Sequence, residues 1–145
     1  MPTPRRQLER TRGAVSAGEV RAAAELRASV RRFLRGSEQI TRAHGLTLER
    51  YELLLAIKAQ LLGAGGRGPT MAELADILEL AESSTTQLAR RAENNGLVER
   101  QVAPHDARVR YLQLTAEGER RLAAAIKALR RERTQLADTS SRIVN

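Results

Sequence analysis

Hydrophobic and polar positions follow a helical period over most of this chain and a period of two over one short stretch, and that change divides it. Ser16 stands at capping-box spacing from Glu19, and Val20, Ala23, Ala24, Val30, Phe33, Leu34 and Ile40 then recur at helical spacing, predicting a long first helix to about His44. Gly45 ends it, Thr47 is a good N-cap, and Leu48, Tyr51, Leu54, Leu55 and Leu62 form a second apolar stripe. Thr70 with Glu73 repeats the capping box behind Pro69, and Leu74, Ile77 and Leu78 give a short helix its apolar face. A tight turn through Glu79 to Ala81 leads to a further helix, Glu82 to Asn95, which stops at Gly96. There the period becomes two: Leu97 to Val102 and Arg110 to Leu114 read as strands joined by a polar turn with Pro104, His105 and Asp106. Thr115 caps a last helix whose stripe is Leu122, Ala125, Ile126, Leu129 and Leu136; it is expected to end near Leu136 and fade into the polar tail Thr139 to Asn145.

This order predicts a mainly α fold with a small β-hairpin, a winged helix-turn-helix flanked by N- and C-terminal dimerisation helices. The expected divisions are a flexible basic arm over 1–15, a dimerisation helix over 16–45, the winged helix-turn-helix over 46–114, and a C-terminal dimerisation helix with its tail over 115–145. The flanking helices carry more apolar stripe than one small module can cover, which calls for a second copy of the chain. A two-fold homodimer would read a pseudo-palindromic operator with half-sites about 34 Å apart.

Composition narrows the partner. The chain has 145 residues, one domain's length, with 25 Lys and Arg against 17 Asp and Glu and a net charge of +8, which favours a polyanion. A biased composition with solvated helix surfaces gives the same numbers, so charge alone does not decide. Only Phe33, Tyr51 and Tyr111 are aromatic, leaving little for the base stacking that single-stranded nucleic acid requires; duplex DNA is favoured. There is no cysteine, which excludes a disulfide framework, a thiolate metal site and a sensor oxidised at its own thiol. The apolar runs Leu53 to Ile57 and Leu122 to Ile126 fall far short of the roughly 20 residues that cross a bilayer, and no apolar segment follows the N-terminal arginines. No membrane association, no signal peptide and a cytoplasmic location are expected.

The helix over 82–95 has the residue types that read DNA. Ser83, Ser84, Thr85, Thr86 and Gln87 offer short donors and acceptors to base edges, Arg90 and Arg91 offer cations to phosphates, and Leu88, Ala89 and Ala92 can face inward. A surface helix capped by serines and threonines is the plainer reading of the same residues. In the hairpin, Arg100, His105, Arg108 and Arg110 cluster at or near the turn, where a guanidinium can enter a narrow minor groove. Asp106, two residues before Arg108, is placed to fix the turn or orient the arginine. The plainer reading here is a solvated hairpin.

From Leu46 to Leu122 the chain has Leu46-Thr47 followed by Tyr51 and Leu54, then Glu73-Leu74-Ala75, then Gly96-Leu97-Val98-Glu99-Arg100, then Asp106-Ala107-Arg108, then Leu114-Thr115 with Gly118. In this order and spacing it resembles the MarR family of winged-helix transcriptional regulators. The resemblance implies a dimer built from the first and last helices, recognition helices in successive major grooves and wings at the flanking minor grooves, with Arg108 as the wing arginine and Asp106 as its support. It also implies a repressor released by a small aromatic or anionic effector in a cleft near His44 and Tyr51; by their own pattern Tyr51 reads as core and His44 as a helix end. Ala81 stands where the family often has a serine cap, forgoing about 1 kcal/mol unless Ser83 or Glu82 compensates. Ala92 replaces a commonly larger apolar residue.

Other classes fit less well. His44 and His105 are far apart, no cluster has metal-ligand spacing and no serine sits in a nucleophile elbow, so neither an enzyme, nor a cofactor, nor a bound metal is expected. The glycine-rich run 63–68 lacks the Gly-Lys-Ser/Thr of a phosphate loop. A winged helix that binds protein instead of DNA is the main alternative, and it would want an apolar or acidic patch where Ser83 to Arg91 lie.

Overall fold

Ser16 and Glu19 close the first capping box: the Glu19 amide donates to Ser16 Oγ (3.1 Å) and the Ser16 amide to Glu19 Oε2 (2.8 Å). From this cap the structure, a computed structural model that describes residues 13–63 and 65–145, runs through six described helices and one hairpin. They are α1 (Ala17–Ala43), α2 (Leu48–Leu61), α3 (Met71–Leu78), α4 (Glu82–Asn94), β1 (Val98–Ala103), β2 (Asp106–Leu114), α5 (Ala116–Ala128) and α6 (Arg130–Val144). The basic arm expected over 1–15 falls almost wholly outside the described residues.

Two compact units account for the described residues. One contains residues 36–130 and holds the core: Leu46, Tyr51, Leu53, Leu54, Ile57, Leu74, Ala92, Leu97, Val98, Leu112, Leu114, Leu122, Ala125 and Leu129. Helix α2 sits at its centre against α3, α4, α5 and β2, so it buries Leu53 and Ile57 besides Tyr51 and Leu54. The stripe expected from sequence is corrected accordingly: Leu55 and Leu62 are 38% and 75% exposed. Thr47 accepts from the Arg50 amide at the start of α2, and Thr70 with Glu73 forms a complete capping box at the start of α3. In α4 Ala81 is the N-cap with no side-chain hydrogen bond, so neither Ser83 nor Glu82 replaces the missing cap.

Behind α4, Gly96 adopts a φ of +71° and turns the chain into an antiparallel hairpin in which Val98 faces Leu114 and Val102 faces Arg110. β2 starts at Asp106, earlier than the alternating pattern indicates, because the pairing jumps from Val102 with Arg110 to Ala103 with Asp106. That irregularity breaks the period across Ala107, Arg108 and Val109. The start of α5 is fixed by close backbone approach. Thr115 Oγ1 donates to Gly96 O (2.6 Å) and accepts from the Gly118 amide (3.0 Å), and a Cβ on Gly118 would stand 2.1 Å from Leu97 O.

The other unit comprises, among the described residues, 13–35 and 131–145. The single last helix expected from Thr115 to near Leu136 is corrected twice: it is divided at Leu129 into α5 and α6, and α6 continues to Val144. Leu136, Thr139, Ser140 and Ile143 keep a half-buried helical stripe through sequence that looks like polar tail. On the α1 side of this unit one face, with Leu26, Ser29 and Phe33, is covered or half-buried, and a second apolar face is open. Ser29 is 6% exposed, its hydroxyl donating to Glu25 O, while Val20, Val30 and Leu34 are 59%, 37% and 43% exposed.

Candidate nucleic-acid interface

Helix α4 follows α3 after a turn in which Glu79 takes the left-handed conformation, at φ 55°. This sharp reversal makes α3 and α4 a helix-turn-helix. Thr85, Ala89 and Ala92, spaced four and three residues apart, are buried on one side of α4. Ser83, Ser84, Gln87, Arg90 and Arg91 are exposed on the other, at i, i+1, i+4, i+7 and i+8. Leu88 is half-buried and packs on the core.

This division corrects one expected contact. Thr85 is fully buried and its hydroxyl donates to Ala81 O at 3.0 Å, so it packs the helix instead of facing DNA. Its period partners Ala89 and Ala92 place it inside, whereas composition alone groups it with its serine neighbours. Thr86 is half-buried and donates to Glu82 O at 2.8 Å, leaving only its oxygen lone pairs for a ligand.

In the hairpin, Pro104 and His105 form the exposed tip and Asp106 opens β2. Asp106 Oδ1 accepts from the Arg108 amide at 3.0 Å and from Arg108 Nε at 3.3 Å. One carboxylate oxygen therefore sets both the turn and the arginine, whose side chain remains 92% exposed. Arg110 is exposed and donates from Nη1 to Ala107 O, folding back on the hairpin's own backbone. Arg100, grouped with the turn on sequence grounds, lies mid-strand opposite Leu112 and pairs with Glu93 of α4 (2.8 Å). It ties the hairpin to α4.

Sequence reasoning overlooked Arg67. It donates to Glu73 Oε1 (3.0 Å) and Gly68 O (3.1 Å), and its Cζ lies 4.6 Å from the centroid of the Tyr111 ring. Burial opposes ionisation of Glu73, yet hydrogen bonds from Arg67 and Thr70, with the arginine's charge, outweigh it and hold the carboxyl below its ordinary value of 4.5. No local pattern announces the Arg67–Tyr111 contact, because the two are far apart in the chain.

The two residues assigned to an effector cleft are placed differently. Tyr51 is 8% exposed and belongs to the core, while His44 is half-buried just after α1. Neither lines the groove of about 210 Å³ beside the hairpin, formed around Arg67, Gln101 and Tyr111. Among the described residues there is no group of three His, Cys, Asp or Glu side chains placed to hold a metal, and no helix is long and apolar enough to cross a membrane.

A helix-turn-helix followed at once by a hairpin with an exposed arginine close to its tip defines a winged helix-turn-helix protein. Residues 44–109 match the model of the MarR family. It is 51% identical over 53 residues to the transcriptional regulator HosA of Escherichia coli O111:H-, a match that spans 34% of this chain and 39% of HosA. The chain thus matches about two-fifths of that relative's length. Among solved structures it is similar to a MepR mutant of S. aureus bound to an oligodeoxyribonucleotide, with a TM-score of 0.63 at 20% identity over 77% of this chain and 78% of that one. A MarR mutant from E. coli gives a TM-score of 0.66 at 17% identity over 86% and 85%. Likenesses at these identities establish the fold.

Proposed function

We propose that this chain is a sequence-specific, duplex-DNA-binding transcriptional regulator that acts as a homodimer and catalyses no reaction. The observation that carries the reading is the exposed stripe Ser83, Ser84, Gln87, Arg90 and Arg91 on α4, backed by the buried Thr85, Ala89 and Ala92. Short polar side chains address base edges and the two arginines address phosphates, while Arg108, oriented by Asp106, serves the flanking minor groove. His105 and Arg110 flank it at the hairpin. The DNA-bound MepR relative and the regulator HosA support the same reading.

The homodimer accounts for α1. Val20, Val30 and Leu34 lie along one side of that helix with their apolar surface open, and a second copy is the cover that a two-fold reader of DNA requires. The family resemblance extends the reading to a cytoplasmic repressor released by a small aromatic or anionic effector, which must bind the released conformation better than the DNA-bound one.

Selection from a random duplex library with the full chain tests this. The expected product is an inverted repeat whose half-sites lie about one helical turn apart. A library that stays unenriched through successive rounds contradicts sequence-specific binding and favours a winged helix that binds protein.

A further inference from the structure

We propose that Arg67 is a positioning residue for DNA binding: it fixes the angle of the hairpin on the helix-turn-helix, and hence the aim of Arg108, without itself touching DNA. The proposal rests on the duplex-binding reading above. Arg67 follows two glycines, Gly65 and Gly66, at φ +90° and +61°, where an added Cβ would meet nothing within 4 Å; the backbone hydrogen bond there runs from the Gly66 amide back to Gly63 O (3.3 Å), within the loop itself. Its guanidinium spans two elements instead. Nη1 reaches Glu73 Oε1 in the capping box of α3, and the planar head lies over Tyr111 of β2.

The backbone beside it supplies a single tie. Leu112 N donates to Pro69 O at 2.9 Å, and Gly68 allows the strand in so closely that a Cβ there would stand 1.6 Å from Leu112 O. With the Arg100–Glu93 pair and the buried Val98, Leu112 and Leu114 this bond holds the base of the hairpin, and the outer half beyond Tyr111 is left to be aimed. Next to it lies the groove of about 210 Å³ between Leu61, Gly66 and the strand residues Gln101, Val102 and Tyr111, which is room for the hairpin to tilt. Arg67 stands at its edge and closes that freedom by stacking on the ring. Arg108 is three residues from Tyr111 on the same strand, so a tilt at Tyr111 displaces the tip. The Arg67 and Glu73 side chains are 44% and 38% exposed, and pairs so exposed add little to folding stability. What this cluster provides is orientation, and a planar head that stacks and donates together is what lysine lacks.

The test compares Arg67→Ala, Arg67→Lys, Tyr111→Phe, Tyr111→Leu and the Arg67→Ala/Tyr111→Leu pair in the full chain. In the free protein, Arg67→Ala and Tyr111→Leu are expected to speed hydrogen exchange at the Leu112 amide and leave α4 unchanged; Tyr111→Phe, which keeps the ring, behaves as the parent. On a selected duplex, Arg67→Ala weakens binding roughly tenfold, Arg67→Lys does not restore it, and the pair is no worse than either single change. The slope of log affinity against log salt stays that of the parent. A slope smaller by about one charge would make Arg67 a phosphate contact, and full rescue by lysine would reduce its role to charge; either overturns the proposal. Unchanged exchange at Leu112 in Arg67→Ala overturns it as well, whether or not any duplex is bound. A parent chain that binds no duplex would instead remove the DNA reading.

Discussion

Arg108 projects into solvent with 92% of its side chain exposed, and a long side chain so placed loses rotamer freedom when it enters a groove. Asp106 removes part of that loss in advance by accepting from both the amide and Nε of Arg108. The pair was legible in the sequence because its geometry is local, a carboxylate two residues ahead of an arginine in a turn. Thr85 was not: nothing in Ser83-Ser84-Thr85-Thr86 by itself tells which hydroxyl faces the core, and only the helical period it shares with the buried Ala89 and Ala92 assigns it inward. We expect Arg108→Ala to weaken binding to a selected duplex roughly tenfold, or about 1.4 kcal/mol. Its melting temperature should match the parent's, since no core is lost. An unchanged affinity would remove the hairpin tip from recognition.

At the scale of elements, local chemistry made the starts of helices legible and long-range contact decided the rest. Ser16 with Glu19 and Thr70 with Glu73 form the hydrogen-bonded boxes that their spacing implies. The continuation of α6 to Val144 was hidden, since a stripe of one leucine, small polar residues and one isoleucine is too weak to read as a period. The place of Gly118 is also set by another element, the Leu97 carbonyl that comes too close for any side chain. Gly118→Ala should therefore destabilise the chain by about 2–3 kcal/mol in urea unfolding, as overpacking against a rigid backbone does. A midpoint equal to the parent's would show that α5 can shift.

Glu73 gives the same scale a dependence on pH. Its carboxyl is held below the ordinary value in the folded chain, so the stability it contributes is complete above the unfolded-state value of 4.5 and is lost as pH falls through the lower, folded value. Between neutral pH and that acid range, Glu73→Gln should lose less stability than the parent. Parallel losses in the two proteins would mean that the pairing with Arg67 and Thr70 does not favour the charged form.

For the whole molecule, a net charge of +8 favours a polyanionic partner, and the proposed role of α4 is to add discrimination to that attraction. The sequence showed the order of elements through the winged helix, since capping, helical period and alternation agreed over residues 46–114, but it joined α5 and α6 into one helix. It left hidden that Val20, Val30 and Leu34 of the α1 stripe stay open while Ser29, Ser37 and Thr41 are covered, because a stripe does not say which chain covers it. It also left hidden the Arg67 strut, whose parts meet only when the chain folds. The central claim is that one face of α4 selects a sequence. It is tested most directly by fluorescence anisotropy of the full chain on a selected duplex and on a shuffled duplex of equal composition, each at two salt concentrations. The account predicts at least roughly a thousandfold preference for the selected duplex and a steep loss of affinity with salt on both. Equal affinity for the two duplexes would contradict it and leave only the attraction of a basic chain for DNA.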